Sequence, residues 1–306
     1  MAIHARTGGD MRSWSDNRAG RIGVLYALAA FLCWGFNPFY FKAVAEVPAP
    51  EVLGHRIVWS MAILLPMVLA SRSWPQVVSA MTTGRTISTL CLSALLVAAN
   101  WLLYIHAVAT SHVTETSLGQ YINPLVNVLL GRLFLGEKLS RSVIVAMLLA
   151  AAGVLVLVVA YGQVPWMGLG LALSFSVYGL VRKIVAVEAL GGLFIESAML
   201  FPFALAGLLF FGHAFTLADS RADLLLALAG PVTLLPLLWF TCAARRLPYG
   251  VLGFFQYIAP SIQFVLARFV FNEPFGWAHY VTFAMIWVAL AVFTLAPRFS
   301  RAPATA

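Results

Sequence analysis

Within long apolar runs the chain carries a short set of polar side chains: His55, Arg56, Asn100, His106, Gln120, Asn123, Asn127, Glu196, Gln256 and Gln263. Polar groups set in hydrocarbon are costly and mark partners, cavities or ion paths. An Arg fork grips a carboxylate or phosphate at two points. Arg56 therefore reads either as an anchor for an anionic ligand or as a structural tie to a backbone carbonyl or to Glu51. Asn100 reads either as an interhelical hydrogen-bonder or as a cavity group. Trp101 and Tyr104 beside it would supply an apolar wall with a polar edge. Histidine changes charge near neutral pH, so His55 and His106 stand as proton carriers or as hydrogen-bonded structural residues. Glu196, about one turn inside its run, is the third coupling candidate. There is no H-E-x-x-H, no G-x-S-x-G and no acidic metal cluster, so no catalytic residue, metal or cofactor is expected and the chain is not read as an enzyme. Cys33, Cys91 and Cys242 show no CxxC or Cys/His ligand spacing, which leaves neither a disulfide framework nor a zinc site.

These side chains need helices in lipid to position them. Of 306 residues, 62% are hydrophobic and 10% charged, with mean hydropathy +0.92. A soluble domain carries about 25% charged residues. The apolar runs are about 20 residues long, enough to cross about 30 Å of hydrocarbon. In lipid each backbone polar group needs an internal partner, which leaves helices; the alternating segments of a β-barrel are missing. The net charge of +8 is spread singly or in pairs, without interleaved aromatics, so nucleic acid is not an expected partner. The expected architecture is an all-α integral membrane protein of ten transmembrane helices. They run near Ile22–Val44, Glu51–Ala70, Thr86–Ala109, Thr114–Leu135, Ser142–Tyr161, Trp166–Val185, Leu193–Phe211, Asp223–Ala244, Tyr249–Phe271 and Trp277–Ala296. With both termini cytoplasmic, 14 of the 19 Lys and Arg residues fall in inner segments and only Arg221 in an outer loop, as the positive-inside bias requires. Arg182 and Lys183 are counted among the inner cations. Arg132 and Arg268 would snorkel from the last turns of their spans. The small residues Ala150 to Gly153 would permit close helix packing. The first apolar run lacks an A-x-A cleavage pattern and reads as a span rather than a removed signal. Residues 1–20 are expected to form a disordered cytoplasmic tail, with Met11 an alternative start.

The chain writes one phrase twice. Aligning Gln120 with Gln256 pairs Tyr121 with Tyr257, Ile122 with Ile258, Pro124 with Pro260, Leu130 with Leu266, Arg132 with Arg268 and Glu137 with Glu273. A weaker echo links "CWGF" around Trp34 to "VYGL" around Tyr178. The chain thus divides into two five-span repeats, 21–161 and 162–297, followed by a cytoplasmic tail, 298–306. Five is odd, so the second half enters from the opposite face. Inverted repeats are a signature of secondary transporters with a site near the midplane, and alternating access follows from exchanging the two halves. The Gln, Tyr and Pro of both copies (Gln120, Tyr121, Pro124, Gln256, Tyr257 and Pro260) are expected to face the gap between the halves, with Asn123 a further binding residue. Trp34 and Tyr178 are expected as equivalent cavity walls. Pro124 and Pro260 each remove a helix hydrogen bond, as a locally opened helix or a fixed kink. Glu137 and Glu273 read as pins for helix ends.

Several phrases resemble the RarD family, within the EamA domains of the drug/metabolite transporter superfamily. They are "WGFNPFYFK" (34–42), "HRIVWS" (55–60), "NWLLYIHAV" (100–108), "SLGQYINPLVN" (117–127), "YGLVRK" (178–183), "GFFQYIAP" (253–260) and "FAMIWVALAVF" (283–293). The resemblance spans about residues 20–296. It implies a multi-pass transporter of the bacterial inner membrane for a small metabolite or drug-like molecule, often exported. The expected partners are a small-molecule substrate and the lipid bilayer, in a monomer or weak homodimer. A channel-like facilitator or a non-transporting membrane sensor are the rival classes; a channel would show rings of charge or repeated carbonyl filters.

Overall fold

A computed structural model describes residues 18–71, 73–109, 113–162, 164–213, 215, 220–271 and 276–299. Residues 1–17 of the expected first tail, Glu273 and the last residues of the second tail lie outside the described residues, while Arg18–Gly20, expected in the tail, already belong to α1. The helices are α1 (Arg18–Ala43), α2 (Ala49–Ala70), α3 (Trp74–Thr82), α4 (Gly84–Ala109), α5 (Val113–Leu135), α6 (Arg141–Tyr161), α7 (Trp166–Ile184), α8 (Ala189–Phe211), α9 (Ser220–Ala244), α10 (Tyr249–Gln256), α11 (Ile258–Val265) and α12 (Trp277–Phe299), with a π-helical turn at Leu266–Val270. Nine segments among the described residues are long and apolar enough to cross a membrane. The 23-residue α5 is not one of them. It carries Thr114, Glu115, Thr116, Ser117, Gln120, Asn123 and Asn127, the most polar stretch of the helical runs.

Local chemistry sets the helix ends. Pro48 and Pro50 open α2, and Pro248 precedes α10, where a missing N–H costs nothing. Ser140 accepts a hydrogen bond from the Val143 N–H at the start of α6. Gly136 and Gly162, with φ of 64° and 76°, end α5 and α6 in the left-handed conformation that side chains resist.

Four features depart from the sequence expectation. The connection after α2 contains the amphipathic α3, which buries Val77 and Ala80 and exposes Trp74, Val78 and Met81. The ninth apolar run is interrupted at Tyr257. Pro260 offers no N–H to Gln256 and its ring crowds that carbonyl; the chain instead tightens, with Tyr257 N–H bonding Phe254 O at 3.2 Å. Pro124 leaves α5 continuous, so the two prolines do not act alike. Finally, α12 runs to Phe299, beyond the 297 boundary.

Packing joins the two halves more than it closes either one. The main pairings are α6–α12, α5–α7, α2–α8, α2–α9, α1–α9, α5–α10, α4–α7 and α1–α11. Gly153 lets α6 approach α12, where Thr282 Oγ1 donates to the Gly153 carbonyl at 2.8 Å. One core gathers Phe31, Tyr178, Phe240 and Tyr249; a second gathers Tyr121, Tyr257, Phe264 and Phe283. Outward-facing Phe203, Phe210 and Phe211 are more than three-quarters exposed, the apolar surface of a chain whose solvent is lipid.

Candidate functional site

A cavity of about 570 Å³ lies between the helices, of the size that holds a small organic ligand. Its walls come from the C-terminal halves of α1 and α4, the N-terminal parts of α2, α5 and α7, the middle of α9, and α11. In an up-and-down arrangement these are all the same end of the bundle. The lining reaches the exposed Lys42 and Ala45 at the end of α1, so the cavity opens there.

Arg56 is the site's central cation. Its Nε donates to Thr233 Oγ1 at 2.7 Å, and its guanidinium carbon lies 5.0 Å from the Trp101 ring and 5.7 Å from the Phe41 ring. Cation–π contact of this kind holds the group in place. Neither terminal nitrogen has a hydrogen-bond partner among the described residues, so a two-point fork remains for a ligand. The tie to Glu51 does not form; Glu51 Oε1 instead accepts from the His213 N–H at 2.9 Å. Lys42 is a second cation at the mouth, 3.5 Å from the Phe271 ring centroid. No carboxylate lines the cavity among the described residues.

Amides and aromatic rings make up much of the rest. Asn100 Nδ2 donates to the Leu171 carbonyl and to Ser174 Oγ, both at 2.9 Å, and still borders the cavity. Both of its expected roles are therefore filled at once. Asn123 Oδ1 accepts from Ser176 Oγ at 2.9 Å, and Gln256 Oε1 accepts from Asn127 Nδ2 at 2.8 Å. Gln263 Nε2 donates to the Trp34 carbonyl at 3.0 Å. Trp34 packs against Phe31, Phe175 and Phe240 at centroid distances of 5.5–5.8 Å, and this aromatic cluster underlies the cavity.

Of the expected binding residues, Trp34, Arg56, Asn100, Trp101, Tyr104, Asn123 and Gln256 come together at this cavity. Four do not. Tyr121 and Tyr257 are buried in the second core, where Tyr257 OH donates to the Tyr121 carbonyl at 3.2 Å. The Gln-Tyr-Ile phrase turns its Gln to the cavity and its Tyr to the helix crossing. Tyr178 is fully buried and stacks on Phe240, one layer below the cavity wall. His55 is buried against Phe215, with ring centroids 5.2 Å apart. His106 is exposed on the last turn of α4 and does not line the cavity. Residues that the sequence reading did not place here include Asn37, Lys42, Thr233 and Gln263, whereas Gln120 and Pro260 belong to the repeated phrase expected at the gap between the halves. Gln120 and Gln263 were flagged as costly polar groups, and Asn37 and Lys42 lie within "WGFNPFYFK". Thr233 gave no signal, because a Thr in an apolar run often bonds its own helix.

The end opposite the mouth is shut by polar contacts, those of Glu137 between the halves and the rest within the second half. Glu137 accepts from the Tyr249 N–H and, at 2.8 Å, from the Gly250 N–H, capping α10. Tyr249 OH donates to the Ser176 carbonyl at 2.5 Å. Lys183 Nζ donates to the Ala244 carbonyl at 2.8 Å and to that of Leu247. Arg245 Nη1 donates to the Val185 and Val187 carbonyls at 3.0 and 2.5 Å. Glu137 thus has the pinning geometry expected of it, on a helix of the other half. Two sequence placements need correction. Arg182, counted among the inner cations at the end of its run, is fully buried within α7. Glu196 lies about two turns inside α8, deeper than expected, because α8 already begins at Ala189.

Known proteins resemble this chain. The profile of the EamA-like transporter family matches residues 21–159. The chain is 48% identical to Protein RarD of Salmonella typhi, over 92% of this chain and 97% of the relative. It is 43% identical to the uncharacterized transporter YojE of Bacillus subtilis, over 89% and 93%. It is 32% identical to the chloramphenicol-sensitive protein RarD of Pseudomonas aeruginosa, over 88% and 92%. A solved crystal structure with 21% identity superposes with a TM-score of 0.67, covering 92% of this chain and 99% of its own, a likeness of fold.

Proposed function

The chain belongs to the EamA-like transporter family as a RarD-type member, a multi-pass membrane transporter and not an enzyme, and on that premise we propose that it moves a small amphipathic organic anion across the bacterial inner membrane by alternating access. The transporter acts as an exporter or an exchanger. The single observation that carries this reading is the cavity. It opens at one end, presents the unpaired fork of Arg56 among aromatic and amide side chains, and is shut at the other end by the Glu137 cap between the halves and by bonds within the second half. One conformation of a two-sided carrier has this form.

The helix pairings support inverted repeats. With the ninth run, α10–α11, as one rod, α6–α12, α2–α8 and α5–α10 each pair a helix with its own counterpart. The contact α1–α9 is answered by α7–α4, and α5–α7 by α11–α1. Exchanging the halves maps the packing onto itself. On this reading, with the cation-rich segments cytoplasmic, the mouth faces outward and the described conformation is the outward-open one.

The test is flux in proteoliposomes across a panel of aromatic and aliphatic carboxylates and their neutral amides. Saturable uptake of the anions is expected, whereas ohmic, unsaturating current would indicate a channel. Loss of two charge-assisted hydrogen bonds costs about 2–4 kcal/mol, so Arg56→Ala raises KM for anions roughly 30- to 1000-fold and leaves neutral analogues alone. Arg56→Lys keeps the charge without the fork and recovers only part of the loss. Unchanged selectivity in Arg56→Ala would refute the anchor.

A further inference from the structure

A second cavity, of about 30 Å³, adjoins the large one. It shares Arg56, Trp101, Thr233 and Leu237 with the ligand cavity and continues past Ser60 and Tyr178 to Ser197 and Glu196. Its lining is mainly apolar with a few polar groups, and a space of that size has room for one or two water molecules beside them. Its walls offer the hydroxyls of Ser60, Ser197 and Thr233, and Tyr178, whose fully buried hydroxyl makes no well-formed hydrogen bond. The annex therefore runs from the anion fork of Arg56 to a buried carboxylate.

The carboxylate is held at one oxygen only. Glu196 Oε1 accepts from Ser93 Oγ at 2.5 Å and lies 3.4 Å from Arg182 Nη1. Oε2 has no hydrogen-bond partner among the described residues. Arg182 Nη2 donates to the Ala189 carbonyl at 3.1 Å, but Nε and Nη1 make no hydrogen bond. A buried ion pair contributes to stability only with close geometry and every remaining donor and acceptor satisfied. This pair has one long contact and three unsatisfied atoms, arranged beside the annex. Gly192 leaves the room the guanidinium needs: a Cβ there would lie 2.0 Å from Nη1.

We propose that Glu196 is a proton-binding site in communication with the ligand cavity through this annex. This deepens the transport reading and rests on it for its use in the cycle. A proton entering from the cavity leaves its carrier water, and the new O–H bond forms at Oε2. Arg182 keeps its charge and its bond to Ala189, while Ser93 holds Oε1. The other charged or titratable groups around Glu196 are few. On α7 they are Tyr178, at the annex, and Lys183, committed to the Ala244 and Leu247 carbonyls. On α2 they are Arg56 across the annex, with Glu51 and His55 near the far end of α8. The α3 sequence holds none, and α4 presents Ser93. Cys242, Arg245 and Arg246 at the end of α9 lie toward Arg182, and Asp223 begins that helix.

Infrared difference spectroscopy on the full chain in lipid nanodiscs, titrated between pH 4 and 9, tests the site with the proton itself as probe. The wild type is expected to show a titrating carboxyl band that is missing in Glu196→Gln. Ser93→Ala, which keeps the carboxyl but removes its donor, moves the same band to higher wavenumber and identifies it should Glu196→Gln fail to fold. Ser197→Leu, which fills the annex, slows hydrogen–deuterium exchange of the band at least tenfold without abolishing it. A spectrum unchanged in both Glu196→Gln and Ser93→Ala overturns the proposal, as does a Glu196 that stays ionised throughout. The titration needs no substrate. Saturable transport with no titrating Glu196 thus refutes this proposal alone, and a titrating Glu196 in a protein that carries nothing refutes the transport reading alone.

Discussion

The crossing of α5 and α10 depends on a single missing methyl. A Cβ at Gly253 would lie 2.8 Å from the Pro124 carbonyl oxygen, 3.1 Å from Asn127 Cβ and 3.6 Å from the Pro124 carbonyl carbon. The nearest obstacle is backbone in the middle of a helix, so it cannot rotate away. Gly253→Ala must separate the two helices by several tenths of an ångström along their contact. Overpacking of this kind costs about 1–3 kcal/mol. The substitution also brings the intrinsic helix preference of Ala over Gly, up to about 1 kcal/mol. Gly207 in α8 supplies the matched control, because a Cβ there meets nothing within 4 Å. Gly207→Ala gains the preference without the clash. The two variants should therefore diverge by about 1–3 kcal/mol, several degrees in Tm, with Gly253→Ala the lower. Thermal unfolding of the full chain in one detergent, followed by tryptophan fluorescence, reads the difference. If Gly253→Ala melts with or above Gly207→Ala, the crossing is not backbone-limited and the reasoning fails.

Three further substitutions separate the closed end from the cavity. Glu137→Gln leaves one acceptor for the two buried N–H groups of Tyr249 and Gly250; it should cost about 1–3 kcal/mol in denaturation, and Glu137→Ala more, since both donors are then orphaned. Tyr257→Phe removes the hydroxyl bonded to the Tyr121 carbonyl, so it should lower stability by about 1 kcal/mol while leaving KM for transported anions within twofold. Asn100→Ala removes two bonds to α7 and a cavity group together; both Tm and KM should worsen, whereas Asn100→Asp should selectively weaken anions by placing a carboxylate near Arg56.

The helices were legible because their code is one-dimensional. Run length and the absence of charge located each apolar rod to within a few residues; the largest misses were the starts of α1 and α8, each four residues earlier than expected, where Arg18–Arg21 and the Ala-Leu-Gly-Gly after Glu188 did not announce a helix. What escaped was set by neighbours. The α3 helix is too short and too polar for a span-length window, and the break at Tyr257 depends on how the Pro260 ring meets the Gln256 carbonyl in that packing. The site divides the same way. Arg56, Asn100 and Trp101 were legible because polar and aromatic groups in mid-run are costly to leave unused. Tyr121, Tyr178 and Tyr257 carry equally rare letters but serve helix crossings. Nothing in a period or a spacing separates a Tyr that faces a cavity from one that faces a neighbouring backbone. Arg182 misled for a related reason: a cation at the edge of an apolar run suits the membrane surface, and only the packing of α8 shows that it is enclosed.

The repeat carries a last consequence. Asn127 and Gln263 are counterparts in the two copies, yet Asn127 donates to Gln256 in the other half's counterpart helix, while Gln263 donates to the Trp34 carbonyl of α1. Gln256 and Gln120 are likewise counterparts; both line the cavity, but only Gln256 is held by Asn127. Near-identical phrases thus occupy different states within one molecule. Under the proposed exchange of halves, each copy displays the contacts its counterpart adopts when the cavity opens on the other side. The bonds unique to one copy are then those that distinguish the two conformations. The packing at the self-paired crossings α6–α12, α2–α8 and α5–α10 is that around which the halves turn.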